Sequence, residues 1–363
     1  MRGISVIFFV VLLAAGKVSA QYKPSFVAYP LGYYSPETRF AVGIGGAVNF
    51  RMNKSDSIAP VSQIGLGGGI TQNRQATVAI PFALYFSERK HSVTGEFSYN
   101  DFSYNFYGVG GGNYNGEKSV YELQYTVMRA NYLFQFHPRF FAGARWWYQK
   151  DVIQSFTDNP EISNEFAGRA GGTSSGPGVM MMFDSRDNIY YAQKGLMVEL
   201  VYHNQQSIWG SDFRFNRYRF DVRHFLPVTS SWTLASNFFG DFTSGDVPFG
   251  QMAALSSGNR GRGYYQGRYR DKNILLYQAE LRGMLDERWG VTAFCNYGIL
   301  SSKMSDFNFQ NDHTAVGFGV RYAFDKRNRS NVRLDIAWPL LNGVYIYDPN
   351  EATKVYLTIN EAF

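Results

Sequence analysis

Five histidines (His91, His137, His203, His224 and His313), one cysteine (Cys295) and two near-adjacent aspartates (Asp184 and Asp187) are the side chains from which a reaction centre would be built. None stands in a recognisable catalytic pattern. Ser174-Ser175-Gly176-Pro177-Gly178 is not the glycine-x-serine-x-glycine turn that lifts a nucleophilic serine above a sheet. The ligand spacing of a zinc site is absent, and the run Met180–Met182 reads as wall rather than metal box. Asp184 and Asp187 read better as turn residues than as an acid–base pair. The expectation is a protein that is not an enzyme and needs no cofactor or metal. The chemistry concentrates instead in residues 258–271, GNRGRGYYQGRYRD, with four arginines, three tyrosines and four glycines. A guanidinium fork grips phosphates and carboxylates. Such a run binds nucleic acid, lies solvated in a loop, or folds back onto a wall that carries carboxylates.

Compartment and charge bear on that choice. Arg2 precedes a nearly continuous apolar run, Ile4 to Ala15, and Val18-Ser19-Ala20 ends in small residues. This reads as a secretory signal peptide, residues 1–20, cleaved before Gln21. Removing Arg2 and Lys17 with it lowers the formal charge from +6 to +4, a weak bias that does not point to nucleic acid. A single cysteine excludes an internal disulfide.

The elements that position these residues read as strands. Aromatics make up 17% of the chain, yet no segment after Gln21 is apolar for long enough to cross a bilayer as a helix. Period-two alternation recurs instead. Val316, Phe318, Val320, Tyr322 and Phe324 alternate with Gly317, Gly319, Arg321, Ala323 and Asp325. Tyr218, Phe220 and Val222 alternate with Arg217, Arg219, Asp221 and Arg223. Val332, Leu334, Ile336 and Trp338 alternate with Arg333, Asp335 and Ala337. About sixteen such segments are expected, many of about ten residues or more, long enough to cross a bilayer on a tilt. The last is expected over 353–363. Tight turns at 87–90, 137–138 and 227–230 oppose longer connections at 108–117, 156–173, 245–271 and 301–312. This predicts an all-β fold over residues 21–363: an antiparallel transmembrane β-barrel of about sixteen strands. The exported chain would lie in the outer membrane of a Gram-negative-type bacterium, its short turns periplasmic.

The arginine-rich run then lies in the longest connection. Gly261-Arg262-Gly263-Tyr264 resembles the loop motif of the BamA-type bacterial surface-antigen barrels, a superfamily that includes TamA and the two-partner secretion transporters. Two following segments resemble that family's wall strands. Glu280 and Arg282 match its E-x-R strand; Phe294, Asn296 and Gly298 match its F-x-D-x-G strand, with Asn296 in place of Asp. The resemblance implies that the loop enters the lumen and that Arg262 pairs with wall acids. With Asn296 uncharged, Glu280 is the one carboxylate expected for it, and Asn296 is expected to accept a hydrogen bond through its amide oxygen. Asp184, Arg186 and Asp187, with Gly195 opening the next strand, resemble the family's strand-to-turn signature. Tyr33 to Thr38 resembles its first hairpin turn. Val355, Leu357, Ile359 and the terminal Phe363 resemble the closing-strand signal of outer-membrane barrels and are expected on one face, interrupted by Glu361.

The family further implies non-enzymatic work in the insertion or translocation of outer-membrane proteins, through a weak seam between 26–34 and 353–363. Gly32 and Pro30 would weaken the first strand. No stretch is left for a periplasmic polypeptide-transport-associated domain, so a barrel-only member is expected. Partners would be outer-membrane lipids and either unfolded outer-membrane proteins or a barrel-assembly complex, with no nucleic acid; a homo-oligomer stays open. So does the alternative of an accessory or structural barrel subunit, or a pore. Inward arginines would favour anions in such a pore, but a plug at 258–271 would occlude it.

Overall fold

The structure is a computed structural model that describes residues 24–35, 38–53, 61–110, 118–157, 166–188, 191–256, 260–309, 312–325, 330–341, 344–345, 353–359 and 361–363. Sixteen principal strands follow one another around a single sheet. They are β1 (Ser25–Ser35), β2 (Arg39–Phe50), β3 (Ser62–Thr71), β4 (Ala76–Phe86), β5 (His91–Phe106), β6 (Ser119–His137), β7 (Phe140–Phe156) and β8 (Gly172–Asp184), then β9 (Gly195–Gln205), β10 (Phe215–Pro227), β11 (Trp232–Gly245), β12 (Asn273–Met284), β13 (Trp289–Ser301), β14 (Asp312–Asp325), β15 (Ser330–Leu341) and β16 (Lys354–Ile359). Every neighbour pair is antiparallel, as hairpin connections require.

The burial pattern inverts that of a water-soluble protein. Ile44, Leu66, Val179, Met181 and Phe318 are exposed on the outer face, while Arg262, Glu280, Asp335 and Arg333 are buried inside. Alternation causes this, since successive side chains of a strand point to opposite faces. On β15, Asn331, Arg333, Asp335 and Ala337 are buried and face inward; Val332, Leu334, Ile336 and Trp338 take the other face. An apolar outer band around a polar interior is what a hydrocarbon solvent selects.

The tight turns use backbone that few residues tolerate. Ser87, Glu88 and Arg89 between β4 and β5, and Arg139 between β6 and β7, have positive φ. One strand departs from expectation. β16 ends at Ile359 and spans six residues, shorter than the 353–363 segment read from the sequence. It pairs with β15 over Val332–Ala337 but, among the described residues, meets β1 at one ladder position, Tyr34 opposite Leu357. On its other side β1 pairs with β2 along its whole length.

Candidate functional site

The connection between β11 and β12 packs against the inner wall. It carries one turn of 3-10 helix (Phe249–Gln251) and a two-residue ladder joining Ala253–Ala254 to Arg270–Asp271. Phe239, Leu255, Tyr264, Tyr269, Ile274, Leu276 and Leu300 form an apolar cluster between loop and wall. Phe249 is set into a second cluster with Phe106, Tyr121 and Leu123, against which Phe156 and Phe166 pack.

Glycines let the loop backbone reach the wall. Gly261 and Gly263 have φ of 62° and 112°, the left-handed region that side chains disfavour. A Cβ on Gly263 would lie 2.6 Å from the Cβ of Ala315. The freed backbone is hydrogen-bonded: Gly261 N–H donates to Gln278 Oε1 at 3.0 Å, and Gly263 N–H to the Tyr356 hydroxyl at 3.0 Å. The Tyr264 hydroxyl donates to the Thr314 carbonyl at 2.6 Å.

Between those glycines Arg262 is fully buried. Its Nη2 donates to Glu280, and its Nη1 lies 2.5 Å from Asp335 Oδ2. The expectation of a single carboxylate is therefore corrected: the second comes from β15, three strands beyond Glu280. The guanidinium also lies 3.6 Å from the centroid of the Phe294 ring, a cation–π contact strengthened by the burial of both side chains. Asn296 behaves differently from the expectation. Its Nδ2 donates to the Arg262 carbonyl at 2.6 Å, because a backbone carbonyl only accepts. The amide oxygen expected to accept has no hydrogen-bond partner among the described residues. Gly298 completes the pattern, for a Cβ there would collide with Leu255 of the loop.

The carboxylates are shared. Glu280 also accepts Arg282 Nε at 2.8 Å; Asp335 accepts Arg321 Nη1 at 2.5 Å; Arg321 Nε reaches Glu361 at 3.0 Å. Asn331 donates to Glu361 at 2.9 Å. Alternating cations and anions hold one another where little water competes, so each charge has a partner. A second strand of the network joins Arg260 to Asp221, which takes Arg223 at 2.6 Å and the Asn237 amide at 2.6 Å.

The C-terminal residues join this interior, which corrects the expected single face. Val355 and Leu357 keep the outward register of β16. The Ile359 side chain lies outside the described residues. After β16 the chain turns in, so Glu361 and Phe363 are buried. Phe363 packs with Ala192, Phe225 and Ala235, and its carbonyl accepts Arg282 Nη2 at 3.2 Å. A carboxylate could not have faced lipid, and Glu361 is the residue that signals the turn.

Ala192 belongs to the β8–β9 connection, so the strand-to-turn residues lie at the same end. Arg186 grips Asp184 through two bonds of 2.9 Å. Asp187 Oδ1 accepts the backbone of Gln193 at 3.0 Å, and Asn188 Oδ1 that of Tyr191 at 3.0 Å. Gly195 has φ of 111°, and a Cβ there would lie 2.5 Å from the Ser185 carbonyl oxygen. Of the first hairpin turn, Pro36 and Glu37 lie outside the described residues.

Sequence reasoning missed Asp335 and Glu361 as partners of the clamp. Both carried a signal. Asp335 occupies an inward position of an alternating strand, and Glu361 interrupts the apolar row of the closing segment.

Comparisons with known proteins agree with this architecture. The Omp85 superfamily domain matches residues 41–363. BamA from Haemophilus ducreyi lacking POTRA domains 1-3 superposes with a TM-score of 0.64 at 12% identity, covering 97% of this chain and 75% of that one. CdiB from Acinetobacter baumannii gives 0.60 at 10% identity, covering 93% of this chain and 59% of that one. CdiB from Escherichia coli gives 0.61 at 12%, covering 97% and 67%. At these identities the likeness is one of fold. No curated protein sequence matches the chain.

Proposed function

Because the chain belongs to the Omp85 superfamily, an outer-membrane barrel family of protein insertion and translocation, we propose that it inserts or translocates polypeptides at the outer membrane without chemical catalysis. The observation that carries the reading is the seam. β1 is paired along its length with β2, but among the described residues it meets β16 only at Tyr34 opposite Leu357. Among the described residues, the other positions on that edge of β1 have no strand partner. In a hydrocarbon surround each unpaired backbone group costs several kcal/mol. An incoming strand that pairs with the edge relieves the cost by β-augmentation.

The plug supports the same reading over passive diffusion. Arg262 fastens the loop to β12 and β15, and Tyr356 of β16 receives the Gly263 N–H. Loop and closing strand are thus one hydrogen-bonded unit. Displacing β16 from β1 would also disturb the clamp, so seam opening and loop release are expected to be coupled.

The test is a seam lock. Tyr34→Cys with Leu357→Cys, in a Cys295→Ala background, places two thiols at the one paired position, within the reach of a disulfide. Liposomes bearing the reduced protein should speed insertion of an unfolded small barrel protein over empty liposomes, and oxidation should abolish the gain. No acceleration in the reduced state would move the protein to an accessory role.

A further inference from the structure

The rim at the short-turn end of β4 to β7 carries a group of side chains that neither the clamp nor the seam uses. The β4–β5 turn holds Glu88, Arg89 and Lys90, and the β6–β7 turn, entered through His137, holds Arg139. The two turns lie at the same end: the Gln135 N–H, near the end of β6, donates to the Lys90 carbonyl at 2.8 Å. Lys90 and Arg139 open onto β5 and β7, which are two strand spacings apart, about 9–10 Å, with β6 between them. Both are exposed, as is His137. Arg89 differs, for it lies 5.7 Å from the ring of Phe141, which is buried on the inner face.

Backbone and charge both single out these turns. Glu88, Arg89 and Arg139 have φ of 58°, 72° and 71°, left-handed conformations that glycine or asparagine adopts at less cost. Turn geometry alone therefore does not account for these residue types. The two turns carry three cations against the single carboxylate of Glu88. Nearby Asp184 does not neutralise them, because Arg186 grips it through two bonds of 2.9 Å. Nor is basic character a property of the whole rim. The β10–β11 turn, Val228 to Ser231, carries no charge, and in the β12–β13 turn Asp286 and Glu287 outnumber Arg288.

Beside the cations lies an open apolar face. Tyr132, Phe134 and Phe136 take outward positions in the last part of β6 and are exposed, as is Phe140 at the start of β7. The Phe140 ring lies 6.2 Å from that of Phe136 and 4.8 Å from that of Phe183. Aromatic rings of this kind mark the level at which hydrocarbon gives way to headgroups. Lys90 and Arg139, beyond the strand ends, then lie among the headgroups, where lysine and arginine attract anionic lipids. Short turns mark the periplasmic side, where the lipid is phospholipid. A ligand for this surface offers acyl chains to the rings and net negative charge to the cations. A zwitterionic headgroup brings an ammonium for which the two turns hold only one carboxylate.

We propose that the β4–β5 and β6–β7 turns, with the aromatic face beside them, form a binding surface for an anionic phospholipid. Its occupancy does not depend on the seam, so it serves an insertase and an accessory barrel alike.

The test is native mass spectrometry of the protein released from detergent micelles doped, at equal mole fraction, with phosphatidylglycerol or with phosphatidylethanolamine. Phosphatidylglycerol should be retained in preference. Lys90→Gln and Arg139→Gln should each weaken that retention about fivefold, and the double variant about thirtyfold. Lys90→Arg should keep it, as should Arg288→Gln in the β12–β13 turn. Retained heat-modifiable migration on gels certifies that each variant is folded. Glycerol phosphate, which has the charge but no acyl chains, should not displace the lipid at equal concentration. Equal retention of the two lipids by the wild type, undiminished retention of phosphatidylglycerol by the folded double variant, or displacement by glycerol phosphate would overturn the proposal.

Discussion

Arg262 carries Glu280, Asp335 and the Phe294 ring all on its guanidinium. Arg262→Ala should cost about 3–5 kcal/mol, the range for removing one member of a buried charged set. The lower end is expected, because Glu280 keeps Arg282 and Asp335 keeps Arg321. The readouts are loss of heat resistance on gels and faster proteolysis within 246–272. Asn296→Asp is a sharper probe. A carboxylate cannot donate to the Arg262 carbonyl, so the variant should lose about 1–3 kcal/mol despite adding an anion beside an arginine. Greater loop protection in that variant would mean that charge, not donation, matters at 296. Gly298→Ala should push Leu255 off the wall and cost about 1–3 kcal/mol as an overpacked contact.

At the scale of the element, most strands were legible because alternation is local. β10, β14 and β15 each expose their pattern within a dozen or so residues, and their inward arginines fall where the sequence places them. Register across the barrel is not local. The sequence placed Asp335 inward on its strand but held nothing to connect it with an arginine 73 residues earlier, because that pairing depends on how far the loop reaches across the lumen. The closing strand was read too long for a related reason. Period-two spacing continues through Glu361 to Phe363, and only the cost of a carboxylate in lipid marks where the strand must end. The β8–β9 turn was better served, since Asp187 and Asn188 bond backbone within a few residues of themselves. Asp187→Ala should remove two backbone acceptor contacts and cost about 1 kcal/mol, seen as a lower midpoint in denaturant titration with heat resistance largely kept.

The whole molecule divides its lumen unevenly. The inner wall of β10 to β15 carries charge and receives the Arg262 clamp, whereas Gly43, Gly45, Gly65, Gly67 and Gly69 on β2 and β3 leave the wall beside the first strand nearly bare. The bare side adjoins the seam, and the clamped side holds the C-terminal residues through Arg282 and Arg321. Under the proposed function, this arrangement would hold β16 to the charged wall and leave the β1 edge as the part free to separate. The most direct measurement is the rate at which an unfolded small barrel protein inserts into liposomes carrying the Tyr34→Cys, Leu357→Cys, Cys295→Ala protein, before and after oxidation. Faster insertion than in empty liposomes, lost on oxidation and regained with reductant, is the predicted result. Insertion equally fast in the oxidised, locked barrel would contradict the account, because the seam would then have no part in the activity.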